Sequence, residues 1–122
     1  MGDGDGVPKS PYGLHKLMNE MECQLYSQLY GLDTVCLRYF NAYSEDQPFG
    51  GAYDTAISAW MEMIRQNKPL RLDGDGEQTR DFVHVEDIVS ANILAMNNSE
   101  MDDDYYNVGY GFSFSLNYIK DF

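Results

Sequence analysis

A chain of 122 residues fits one domain and buries a modest core, and 43% apolar with 23% charged residues makes it globular rather than disordered. Twenty acids against eight bases give a net charge of −12, so nucleic acid and anionic membrane surfaces are poor partners. No window approaches the apolar run that spans a bilayer, and the Met1 end carries no signal-peptide pattern.

In chain order, residues 1–9 (MGDGDGVPK) are turn-like and lack apolar periodicity. Ser10 is a good N-cap and Pro11 a good first helical residue, which predicts a helix over 11–30 ended by Gly31. Leu14, Leu17, Met18, Met21, Leu25 and Leu29 form one apolar face at helical spacing. The opposite face carries Tyr12, Lys16, Asn19, Cys23, Ser27 and Tyr30, too little charge for open solvent, so the helix is expected to be covered on both sides. Residues 34–40 (TVCLRYF) are nearly continuous and β-rich, as buried parallel strands are, with Asn41 just past the end. Ligands gather at the carboxyl ends of such strands, which makes Asn41 a natural site position.

A loop over 44–52 leads to an amphipathic helix at about 54–66 built on Ile57, Trp60, Met61 and Ile64. Residues 70–72 suggest a short strand, followed by a turn at Gly74-Asp75-Gly76. A strand over 82–85, a helix over 86–97, a strand over 105–108 and a last helix capped by Ser115 complete the alternation. This is an α/β pattern, yet one βα piece cannot cover both its faces, so the sequence reads as part of a larger α/β protein.

Several motifs resolve to bland readings. Cys23 and Cys36 have no metal-ligand spacing and read as buried free thiols in a reducing cytoplasm. The acidic turn around Asp73 and Asp75 lacks the twelve-position calcium loop, so no metal site is expected. The opening GDGDG lacks a preceding strand and the glycine spacing of a dinucleotide fingerprint.

Tyr12 and Lys16, at i and i+4, share a helix face. A nearby ammonium and the positive helix end both favour phenolate, and a phenol so tuned moves protons at a hydroxyl or carbonyl. Tyr-x-x-x-Lys also arises by chance on helix surfaces, so the spacing alone leaves both readings open.

The blocks SPYGLHKL, GLDTVCLRYFNAY, PLRLDGDGEQTRDFVHVEDIVSANILA and YYNVGYGFSFSL occur in the order and at the spacing of the extended short-chain dehydrogenase/reductases. From Ser10 onward the chain resembles the nucleotide-sugar epimerases and dehydratases, UDP-glucose 4-epimerase-like enzymes foremost. The resemblance implies an α/β fold that is the C-terminal part of a Rossmann-type enzyme. Its parts would be a flexible segment (1–9), the catalytic helix and following parallel strand (10–44), and most of a nucleotide-sugar-binding domain (45–122).

The resemblance also implies roles. Tyr12 would be the acid/base, and Lys16 would bond the nicotinamide ribose. Tyr39 and Phe40 would lie beside the cofactor, for which plain core packing is the alternative. Asn41 would contact the sugar and Arg80 the substrate diphosphate, which suits a planar guanidinium. A salt bridge from Arg80 to Glu77 or Asp81 is the alternative, and His84 reads as a structural histidine. NAD is implied in preference to NADP, with a nucleotide-diphosphate sugar as substrate, and a homodimer or larger self-association through the 11–30 helix. A cytoplasmic protein is expected.

The sequence departs from the family pattern in lacking the glycine-rich NAD-binding turn and an upstream serine or threonine, so the isolated chain is expected to bind NAD negligibly and not to turn over. Asp73, where relatives often carry an apolar residue, leaves the nucleotide open, and Ser44-Glu45-Asp46 removes a positive charge from the cofactor or substrate side. A 4,6-dehydratase part and a non-catalytic self-associating fragment are the alternative readings.

Overall fold

The computed structural model describes residues 6–47, 56–72, 74–98, 101 and 105–121. The start of the turn-like opening, residues 48–52 of the loop, the first turn expected at 54–55, Asp73 and the acidic stretch 102–104 lie outside the described residues. The chain forms two compact units, Met1–Arg38 with Ala95–Tyr106, and Tyr39–Leu94 with Asn107–Phe122.

The first unit is organised around helix α1 (Pro11–Tyr30). Ser10 is extended at φ −149° and ψ 157°, and its hydroxyl accepts the Gly13 N–H at 3.0 Å. Pro11 then starts the helix without wasting a donor. Gly31 ends it at φ 64°, a left-handed conformation that costs glycine little, and its N–H returns to the Ser27 carbonyl at 2.9 Å.

The packed side of α1 differs from expectation. Gly13 is buried and Leu17, Glu20, Cys23, Gln24 and Ser27 are half-buried, whereas Leu14, Met18, Met21, Leu25 and Leu29 stay open at 46–62% exposure. The contact that decides this is ionic. Arg38, on strand β1 (Cys36–Tyr39), donates Nε and Nη2 to the two carboxylate oxygens of Glu20 at 2.6 and 2.7 Å. The same guanidinium lies 3.5 Å over the ring of Tyr105 on β4 (Tyr105–Val108), in the two-stranded sheet formed by β1 and β4.

The second unit is a three-stranded sheet in the order β2-β3-β5, made of Asn41–Tyr43, Thr79–His84 and Ser113–Ser115. β2 runs parallel to β3 with Asn41 opposite Phe82, and β5 is antiparallel with Phe114 opposite Arg80. Helices α2 (Ala56–Arg65), α3 (Val85–Asn97) and α4 (Leu116–Asp121) alternate with the strands. Among the described residues the buried apolar side chains are Trp60, Val83 and Leu116, one each from α2, β3 and α4.

Two expectations are corrected, and one strand was not expected. The run 34–40 is not one strand with Asn41 beyond it. Phe40 N–H still bonds the Val108 carbonyl at 3.0 Å, whereas Asn41 begins β2 and pairs with β3. A chain that changes partner cannot remain a single ladder. Residues 70–72 are irregular, because the Arg71 carbonyl accepts the Trp60 indole N–H at 2.8 Å instead of a ladder bond. Finally, β5 has no counterpart in the sequence reading. Its three residues become a strand through pairing with β3, and the expected cap follows at once, with Ser115 Oγ accepting Tyr118 N–H at 3.1 Å.

Arg38 holds the Glu20 carboxyl below its ordinary pKa through its hydrogen bonds, against a smaller opposing effect of burial. The stabilisation is therefore present above about pH 4.5 and lost as pH falls through the lowered folded value. Glu20→Gln is expected to lower the unfolding free energy by about 1–2 kcal/mol at neutral pH. Urea melts repeated below pH 4.5 should show that difference shrink.

Candidate functional site

Tyr12 stands in the first turn of α1 and is 62% exposed, and its hydroxyl has no partner among the described residues. One turn on, the Lys16 ammonium lies 5.4 Å from the Tyr12 ring centroid. The pair is thus brought together, but the charge sits by the ring, with both polar ends free to meet a ligand. Gly13 is explained locally. A Cβ there would come 3.3 Å from Ser10 Oγ, so the bare backbone lets the N-cap close under Tyr12.

In the second unit, strand register gathers the remaining candidates. Asn41 donates Nδ2 to the Asp81 carbonyl at 3.1 Å, which leaves its amide oxygen available. Arg80 precedes Asp81 on β3, is exposed, and donates Nη1 to the Thr79 carbonyl at 2.8 Å. The salt-bridge alternative is not realised among the described residues. Glu77 instead accepts from Asn117 Nδ2 at 2.6 Å, and Asp81 faces a backbone turn, so the guanidinium keeps free donors.

Asp81 is the residue that sequence reasoning undervalued. Its two carboxylate oxygens accept the N–H groups of Tyr110 and Gly111 at 2.7 and 2.8 Å, with Gly111 left-handed at φ 93°. Gly109 lies so close that an added Cβ would sit 2.6 Å from the Phe40 ring and 2.9 Å from Asp81 Oδ2. The signal was present as the paired glycines after β4, which demand a turn needing an acceptor.

Tyr39 and Phe40 are 43% and 41% exposed, so neither is core packing. The Tyr39 hydroxyl accepts a hydrogen bond from Asn92 Nδ2 on α3 at 2.7 Å, which fixes its ring. His84 behaves as a structural histidine. Its Nδ1 accepts the Glu86 N–H at 3.2 Å, Nε2 lies 3.3 Å from Glu45, and Tyr43 meets the ring edge-on. Its own backbone N–H, then His84, hold the Glu45 carboxyl below the ordinary range. Among the described residues no cluster of three metal-ligating side chains occurs, and no helix is long and apolar enough to cross a membrane.

Helices alternating with short strands around a parallel β2–β3 pair make this an α/β chain of Rossmann type. Residues 2–109 match the family model of the NAD dependent epimerase/dehydratase family, and the chain belongs to that family. A Methanocaldococcus jannaschii protein assigned as a UDP-glucose 4-epimerase is 41% identical over 115 residues, covering 93% of this chain and 36% of its own length. A UDP-N-acetylglucosamine 4-epimerase from Methanobrevibacter ruminantium, in complex with UDP-N-acetylmuramic acid, superposes with a TM-score of 0.85 at 35% identity, over 94% of this chain and 36% of that one. A UDP-glucuronic acid 4-epimerase from Bacillus cereus, in complex with UDP-glucuronic acid and NAD, gives 0.78 at 32% identity, over 90% and 34%. The chain therefore spans about a third of the length of these relatives.

Removing the Asp81 carboxylate leaves two amide donors without their acceptor. Asp81→Ala should speed hydrogen exchange at Tyr110 and Gly111 by at least about tenfold, in the range of one lost charged hydrogen bond. Exchange at Val83, in the same strand but buried, should change far less.

Proposed function

We propose that this chain carries the acid/base helix and the nucleotide-sugar-binding portion of an NAD-dependent UDP-sugar 4-epimerase. The observation that carries the reading is the Tyr12–Lys16 pair, an unpartnered phenol with an ammonium beside its ring on a capped helix start. Chemically the pair fits the nicotinamide-ribose end of NAD, since the phenol offers a donor and acceptor and the ammonium three donors to ribose hydroxyls. The rest of the dinucleotide finds no glycine-rich fingerprint within the 122 residues, so the reading assigns the chain only that end of the cofactor.

NAD, when bound, supplies the hydride acceptor for oxidation at the sugar carbon. Tyr12 Oη takes the proton from the sugar hydroxyl and returns it when the carbonyl is reduced again. Lys16 holds positive charge at the ring and steers the ribose. Asn41 accepts or donates at the sugar through its remaining amide oxygen or the amide edge. Arg80 offers free guanidinium donors to the diphosphate, as a planar fork suits two phosphate oxygens. Tyr39 and Phe40 give an aromatic surface beside the cofactor, and residues 10–44 and 45–122 divide the work between proton transfer and nucleotide-sugar binding.

A 4,6-dehydratase would share the first oxidation and the same Tyr12 role. The relatives described above are 4-epimerases by name, which supports the epimerase reading, although a dTDP-glucose 4,6-dehydratase from Bacillus anthracis shares the fold.

In the enzyme that carries this chain, Tyr12→Phe should lower kcat by at least about 100-fold with little change in KM, as expected when a general acid/base is lost. Arg80→Ala should chiefly raise KM for the nucleotide sugar. A Tyr12→Phe enzyme with full activity would remove the reading.

The open apolar face of α1 fits a second copy of the chain, placing Leu14, Met18, Met21, Leu25 and Leu29 against their equivalents. Light scattering should find a dimer or larger species at micromolar concentration, and Leu25→Glu should shift it toward monomer. A wild-type monomer throughout would refute the pairing.

A further inference from the structure

Cys23 and Cys36 take no part in the proposed chemistry, yet the first unit brings them to one place. Both thiols are free and half-buried. Together with Gln24, Ser27, Gln28 and Thr34 they line a polar cavity of about 170 Å³. Thr34 ties the two walls, donating Oγ1 to the Cys23 carbonyl at 3.2 Å.

We propose that this pair is a modification site for low-molecular-weight disulfides, captured by Cys23 and resolved by Cys36 into an internal disulfide joining α1 to β1.

The two cysteines are not equivalent. Burial first, then the charge and hydrogen-bonding of Cys23, push the Cys36 thiol up to about 11, with Glu20 adding to the rise and Arg38 opposing it. Cys36 therefore keeps its proton near neutral pH, which leaves Cys23 as the thiol that attacks first. Capping the Cys23 sulfur removes the contributions of Cys23 to the Cys36 rise. Burial, the largest cause, still holds the proton on Cys36, and the second step proceeds because its attack on the neighbouring mixed disulfide is intramolecular.

The chemistry balances without any further reactant. The Cys23 thiolate attacks one sulfur of the small disulfide, whose S–S bond breaks. One thiolate leaves and takes a proton from water. Cys36 then loses its proton, and its sulfur attacks the Cys23 sulfur and expels the second small thiolate, which is protonated in turn. The cysteine pair is oxidised by two electrons, and both end in the two small thiols released.

Oxidised glutathione is the probe, added to the reduced chain, with acid quench, alkylation of remaining thiols and intact-mass analysis. The wild-type chain should lose two hydrogens, and a peptide map should join the segments holding Cys23 and Cys36. Cys36→Ser should stop at one glutathione adduct on Cys23. Cys23→Ser should form its adduct on Cys36 at least about tenfold more slowly, reflecting the protonated thiol. Circular dichroism checks that each variant is folded, and the wild-type chain with and without urea supplies an arm that needs no variant. The internal disulfide should form faster in the folded chain than in urea. Two stable adducts on the wild type, only intermolecular disulfides, no reaction, or a Cys23→Ser rate equal to that of Cys36→Ser would each overturn the assignment.

Discussion

The guanidinium of Arg38 is the contact around which the first unit is arranged. It is gripped by both oxygens of Glu20 and lies 3.5 Å over the Tyr105 ring, so one side chain connects α1, β1 and β4. Planarity makes this possible, because the edge of the fork bonds the carboxylate while the face stacks on the aromatic. A lysine could satisfy the charge but not both geometries. Because Glu20 is rigidly placed, the rest of α1 is placed with it, and the helix that presents Tyr12 and Lys16 inherits its orientation from an ion pair two turns along.

A second carboxylate plays the matching part in the other unit. Asp81 turns the chain after β4 by accepting two consecutive amides, and its own carbonyl receives the Asn41 amide. Its neighbour Arg80 is thereby left without a carboxylate partner on the exposed side of β3, although Asp81 is adjacent in sequence. An arginine beside an aspartate is ordinarily read as a neutralised pair. Here the aspartate is consumed by backbone donors, which carry their own partial positive charge, and the arginine's charge stays available to an anion.

Helix α1 was legible to the residue because its ends are encoded locally, by Ser10 and Pro11 at one side and Gly31 at the other. The strand at Tyr105–Val108 and the cap at Ser115 were readable for the same reason. What escaped depends on partners distant in sequence. The division of 34–43 at Phe40 follows from a switch between β4 and β3, and β5 exists through its pairing with Thr79–Asp81. Residues 70–72 carry a strand-like pattern, but the Trp60 indole claims the backbone that a ladder would need. At the site, the Tyr12–Lys16 spacing was visible, whereas the freedom of Arg80 could be seen only once Asp81 and Glu77 had been accounted for elsewhere.

The inverted packing of α1 bears on how such a helix can serve chemistry. Most of its apolar stripe is open and the side turned inward is mostly polar, so hydrophobic burial contributes little to its placement within the unit. Apolar contacts are non-directional and tolerate a helix that slides or rolls. Hydrogen bonds do not. The bidentate Glu20–Arg38 pair and the Thr34 bond to the Cys23 carbonyl fix the rotation of α1 about its own axis. That rotation decides which way the face shared by Tyr12 and Lys16 is presented, a property that the proposed proton transfer would require more than overall stability. The apolar stripe is then released from holding the helix in place, and is free to be spent on whatever covers it.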